Sequence, residues 1–167
     1  ASSIIQKIRS QSSGTGQLPS GTTSIAVKFQ RAFEGSPLDD VIVLGTSMGG
    51  RATLSLQVKR TFTFGDNELF YEVMAQCWET YKNAESQDRF GVAIATTTSR
   101  FEQAGRNVLA WARQSANFTD FFRRIETKKL ASDGMRTFLK VIRDGLDSSA
   151  GVAVDNEVVW KFLRHFV

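Results

Sequence analysis

A chain of 167 residues is long enough to bury a core of its own and short enough to be a single domain. With 41% hydrophobic and 23% charged residues it is not a disordered chain, and its single cysteine, Cys77, excludes both a disulfide framework and a Cys-rich zinc site. The formal net charge of +4 is unevenly placed: residues 1–99 carry nine Lys/Arg and nine Asp/Glu, whereas residues 100–167 carry twelve and eight, a basic half that suits a polyanion or forms solvated helix faces.

The first 21 residues read as an arm. Ile4 to Arg9 can start a helix, and Gln11 to Gly21 is a Ser/Gly-rich loop with no Gly-x-x-x-x-Gly-Lys phosphate loop in it. The start, Ala1-Ser2-Ser3-Ile4-Ile5, lacks the charged opening and long apolar core of a signal peptide. No apolar run approaches the roughly 20 residues that a membrane span needs. Together with the lone cysteine, these features lead us to expect a cytoplasmic protein with no membrane partner.

Residues 22–99 read as an α/β core. Thr22 to Phe33 is predicted to be a helix, because Ile25, Phe29 and Phe33 fall at i, i+4 and i+8. Asp39-Asp40-Val41-Ile42-Val43-Leu44-Gly45 and Thr53-Leu54-Ser55-Leu56-Gln57-Val58-Lys59-Arg60 read as short strands. Between them, Thr46 to Arg51 carries the Gly49-Gly50 pair of a turn, so the two are a hairpin or adjacent strands. Strand alternation puts Gln57 and Lys59 on one face and Val58 on the other. Asp66 is the predicted N-cap of a helix from Asn67 to Asn83, whose stripe of Leu69, Phe70, Val73, Met74, Cys77, Trp78 and Tyr81 faces the core. Cys77 on that stripe reads as a buried structural thiol. Arg89 to Thr97 is predicted to be a third strand, in a βαβ crossover with parallel pairing.

Residues 100–167 read as helical. Val108 and Trp111 mark one helix, Phe118 to Ile125 a second with Asn117 as cap, Met135 to Leu146 a third, and Val154 to Phe166 a last one starting near Asp155 or Asn156. His165 is the only histidine, so a His-based zinc site is excluded, and a Ser-His-Asp triad has no support beyond it. The final apolar-basic segment, Trp160 to Val167, does not taper into polar residues, and we expect the chain to be one domain of a longer polypeptide.

An acid before an apolar strand, then a turn and a strand ending in Gln57-Val58-Lys59, followed by Phe62 to Trp78, resembles the PD-(D/E)XK nuclease superfamily in the variant where Gln replaces the second acid. More narrowly it resembles the N-terminal nuclease domains of bacterial anti-phage proteins, the endonuclease effectors of CBASS systems and of AVAST-type STAND NTPases. The likeness runs from Ile25 to about Thr98. It implies a restriction-endonuclease-like core, a small mixed β-sheet flanked by helices with a C-terminal helical layer, and a Mg²⁺- or Mn²⁺-dependent endonuclease for double-stranded DNA. It also implies the remainder of a larger sensor or NTPase polypeptide as partner, and a homo-oligomer whose paired sites cut two strands.

On this resemblance Asp40, Gln57 and Lys59 are the catalytic set. Asp40, the Gln57 amide oxygen and the Val58 carbonyl are the metal ligands, since a hard divalent ion takes oxygen donors. Lys59 orients the attacking water or offsets transition-state charge. Asp39 is the fallback acid, because neighbouring residues of an extended strand point to opposite faces. Gln30, after Phe29, resembles an aromatic-Gln pair that reaches toward the metal in the family. Arg60, Arg123, Arg124, Lys128 and Lys129 are candidate phosphate contacts, although aromatics facing the core and basic residues facing water explain the same helical spacing. Gln in place of an acid removes one negative charge, which keeps a degenerate, non-catalytic binding or oligomerisation module as the rival reading. A nuclease of the same fold acting on RNA or in repair is another.

Overall fold

The computed structural model describes residues 21–29, 40–96 and 99–167. The arm up to residue 20, Gln30 and Asp39 lie outside them. Among the described residues one mixed sheet has the order β1 (Thr23–Phe29), β2 (Val41–Ser47), β3 (Gly50–Thr61), β4 (Arg89–Thr96). β1, β2 and β3 form an antiparallel meander, and β4 pairs parallel with β3. Helix α1 (Glu68–Lys82) makes the crossover between β3 and β4. Helices α2 (Ser99–Gln114), α3 (Phe118–Glu126), α4 (Asp133–Ala150) and α5 (Asn156–His165) follow. The chain is therefore α/β with a mixed sheet and a C-terminal helical layer.

The helix predicted from Thr22 is instead strand β1 as far as Phe29. Its helical spacing fitted, but Thr22, Thr23, Ile25 and Val27 are β-branched and stiff at χ1, and β2 offers a ladder from Thr23↔Thr46 to Phe29↔Val41, interrupted only at Ile25. Ile25, the supposed head of the buried stripe, is 63% exposed beside a register shift between Ser24 and Ala26. The hairpin is tighter than the sequence suggests. β2 and β3 pair out to Ser47↔Gly50, leaving Met48-Gly49 as a two-residue turn, and Gly50 takes φ 110°, which an L side chain resists.

The N-cap of α1 is Asn67, one residue beyond the expected Asp66. Asn67 has extended backbone and its Oδ1 accepts the Phe70 N–H at 3.0 Å, while its amide donates to the Thr63 carbonyl. The later caps follow the sequence: Asn117 accepts from Asp120 N–H, and Asp155 from Val158 N–H.

The main core lies between the Phe90 face of the sheet and the five helices. Phe70, Phe90, Phe121 and Phe162 are its largest fully buried side chains, each contributing roughly 1.5–3 kcal/mol by burial. Phe90 meets Phe162 edge-on at 5.1 Å. Val92 and Ile94, two and four residues on, pack against the same core. Cys77 is fully buried and its thiol is pushed far up by desolvation, as an inert core residue should be. After α5 the backbone returns to the sheet. Val167 N–H donates to the Phe90 carbonyl at 2.8 Å, and a Cβ on Gly91 would overlap the Val167 carbonyl. No described helix is long and apolar enough to cross a membrane.

Candidate active site at the open end of β2 and β3

The ladder ends with Asp40 beside the Gln57–Val58 stretch of β3. Val41 is registered with Leu56, so the next position outward sets Asp40 opposite Gln57, and opposed residues of an antiparallel pair share a face. On the other side of β3, Gln57 registers with Val92 and Lys59 with Ile94. Since Val92 and Ile94 pack on the helical core, Gln57 and Lys59 point to the helix-covered face. Val58, 48% exposed, and Arg60 lie on the opposite one.

Asp40 does not hang free at the strand mouth. Its Oδ2 accepts the Val58 N–H at 2.7 Å, doing the work of a strand carbonyl at the end of the ladder. That bond ties the carboxylate between Gln57 and Lys59 in chain position. N–H and C=O of one residue point to the same edge of a strand, so the Val58 carbonyl is presented on the Asp40 side rather than to β4.

Gln57 is 8% exposed, and its Oε1 is buried without a hydrogen-bond partner among the described residues. A buried amide oxygen left unpaired costs about 1–3 kcal/mol, so it calls for a function or a ligand. Lys59 is half-buried, and no hydrogen bond or ion pair among the described residues engages it. One carboxylate, one unsatisfied amide oxygen and a main-chain carbonyl are all hard oxygen donors. They fit a single magnesium-type ion that keeps several waters, and do not fit zinc or a fully caged ion. Among the described residues no three His, Cys, Asp or Glu side chains gather where they could hold a metal, so the second carboxylate of a two-ion site has no counterpart there.

Asp88, which sequence reasoning missed, fixes β3 nearer its start, four residues before Gln57. Its Oδ1 accepts the Thr53 N–H at 2.8 Å and its Oδ2 the Glu85 N–H at 2.9 Å, clamping the turn before β4 onto β3. An acid just before a predicted strand was the available signal.

The basic candidates of the C-terminal half sit in the helical layer. Arg123 pairs with Asp120 at 2.8 Å, Arg124 lies over the Trp111 ring at 5.4 Å, and Lys128 and Lys129 are exposed in the turn after α3. Helix α3 packs on α2, α4 and α5, with Phe121, Phe122 and Ile125 turned inward. His165 also has a structural place. Its Nδ1 lies 2.8 Å from the Asp88 carbonyl, and its ring is parallel to Phe90. Burial, ahead of the neighbouring Arg89 and Arg164, holds the imidazole below its ordinary pKa.

Compared with models of known protein families, with curated proteins and with solved structures, the chain matches none at a significant level.

Proposed function

We propose that this chain is a metal-dependent endonuclease domain acting on double-stranded DNA, the effector part of a larger anti-phage defence protein. The observation that carries the reading is the Asp40 carboxylate held on the Val58 N–H, next to Gln57, whose amide oxygen is buried and unpaired among the described residues, with Lys59 on the same face as Gln57. The crossover that follows β3 agrees with it.

Asp40 and Gln57, with the Val58 carbonyl, would hold Mg²⁺ or Mn²⁺, which when bound supplies a Lewis acid to the scissile phosphate. Asp40 is oriented for this by the Val58 N–H, which uses one carboxylate oxygen and leaves the other available. Lys59 places an ammonium two residues from Gln57 on the same face, where it offsets charge developing on the phosphate and positions the attacking water. Two copies would be needed to cut both strands of a duplex, which is why a homo-oligomer belongs to the proposal.

The test is plasmid cleavage with Mg²⁺, Mn²⁺ or EDTA, comparing wild type with Lys59→Ala at low and high protein concentration, duplex DNA being set against single-stranded DNA and RNA. Metal-dependent nicking that falls at least 100-fold in Lys59→Ala, with an unchanged circular dichroism spectrum, is the expected result. A second reading is favoured by one observation. Asp40 already serves the ladder through Val58, and no second acid joins it among the described residues, as in a degenerate fold kept for binding. DNA binding without cleavage, even by a tethered dimer in Mn²⁺, would establish that module in place of the enzyme.

A further inference from the structure

Three arginines distant in sequence are brought by three elements to the region around the end of α5 and the start of β4. Arg89 opens β4, Arg113 ends α2 and Arg164 lies in the last turn of α5. Each is tied there by contacts of long range. Arg113 Nε donates to the Arg164 carbonyl at 3.3 Å, and its Nη2 donates to the Phe166 carbonyl, so this guanidinium closes the C-terminal end of α5. Trp160 Nε1 donates to the Ala112 carbonyl at 2.9 Å, one residue before Arg113, locking α5 onto α2 at this level. The Arg164 guanidinium lies over that same Trp160 ring at 4.7 Å. Arg89 Nη1 donates to the Asp88 carbonyl at 2.7 Å and to the Ser86 carbonyl at 3.2 Å, and His165 meets the same Asp88 carbonyl.

The charges of this cluster are not balanced. Every hydrogen bond that Arg89 and Arg113 make goes to a backbone carbonyl, and none of the three arginines forms an ion pair with a carboxylate among the described residues. The nearby Asp88 carboxylate is taken up by the Thr53 and Glu85 N–H groups. Arg113 is lowered to about 10 by burial and then by Arg89, and Arg89 is lowered by burial and then by Arg164, with the Asp88 charge acting the other way. Among the described residues no acceptor meets the Arg164 fork, Nε and Nη2 of Arg89, or Nη1 of Arg113. Such forks, held rigidly by packing rather than by acids, match the tetrahedral oxygens of a phosphoryl group.

We infer that Arg89, Arg113 and Arg164 form an oxyanion site for a phosphoryl group, built where β4, α2 and the end of α5 meet. The phosphoryl group can be free phosphate or one phosphate of a nucleic-acid backbone. The site is independent of Asp40, Gln57 and Lys59, and stands or falls apart from cleavage.

The test is equilibrium binding with no divalent metal. Thermal unfolding in phosphate is compared with chloride at equal ionic strength, and fluorescence anisotropy follows a labelled duplex. Arg164→Gln is the main variant, because among the described residues the side chain makes no hydrogen bond, so its loss removes the stacking on Trp160 but leaves the Trp160–Ala112 and Arg113 bonds in place. Arg113→Lys, which keeps the charge but not the fork, is the second. Phosphate is expected to raise the wild-type melting temperature above that in chloride, and both variants to lose most of that increment. If duplex binding also weakens several-fold in Arg164→Gln, the phosphoryl group is that of a nucleic acid; if it is unchanged, the site serves free phosphate. Equal melting in phosphate and chloride, together with unchanged duplex binding in both variants, overturns the inference.

Discussion

Replacing Gln57 with Leu tests the candidate site through stability rather than activity. The Gln57 side chain is 8% exposed and its Oε1 has no partner among the described residues, so the fold carries an unpaired acceptor in its interior. Leu has similar bulk and no polar atom. Removing a buried, unsatisfied polar group returns roughly 1–3 kcal/mol, and a domain of this size shifts its Tm by about 2–4 °C for each kcal/mol. Some of that gain is offset by loss of the amide nitrogen, so the lower half of the range is the expected outcome in EDTA. Millimolar Mg²⁺ or Mn²⁺ should then raise the Tm of wild type and leave Gln57→Leu unmoved, since a ligand that binds only the native state stabilises in proportion to its occupancy. Differential scanning calorimetry of both proteins, with EDTA and with each ion, reads both effects. A Gln57→Leu protein less stable than wild type in EDTA, or equally responsive to the ions, would refute the argument that the orphaned oxygen is reserved for a cation. A stabilised variant that no longer cuts DNA would be the usual exchange of function for stability at a site.

Two further outcomes follow from the packing. The native fold holds the His165 imidazole below its ordinary pKa, whereas the unfolded chain titrates near the ordinary imidazole value of 6.5. The unfolded state then binds more protons, so the stabilisation is complete above pH 6.5 and is lost as pH falls through that value toward the lower native pKa. His165→Gln, with Arg89, Arg164 and Asp88 still facing it, should flatten urea-unfolding stability between pH 7 and 5, and an undiminished slope would assign the pH dependence elsewhere. Gly91→Ala should cost about 1–3 kcal/mol, because the added methyl meets the Val167 carbonyl backbone and not a flexible side chain. An unchanged Tm would show that the Phe90–Val167 contact does not hold the end of the chain in solution.

The helices were legible because each buries a stripe with helical period, and four of the five open on a polar cap. The residues from Phe118 to Ile125 behind Asn117, and those from Val158 to Phe162 behind Asp155, could be read directly. The paired apolar runs around the Gly49-Gly50 turn and the alternation that unites Gln57 with Lys59 were legible for the same reason: local sterics decide them. β1 was not. Ile25 and Phe29 satisfy either period, and only the presence of β2 as a hydrogen-bonding partner resolves the choice. The opposition of Asp40 to Gln57 depends on cross-strand register, and the capture of Asp40 by the Val58 N–H depends on where the ladder ends. The gathering of Arg89, Arg113 and Arg164 is further from the sequence still, since no spacing links a strand start, a helix end and the final turn. Local periodicity and capping act over a few residues and are written in the order of side chains. Register, burial and the meeting of distant charges are set by which surfaces exclude water together, and only the folded chain decides that.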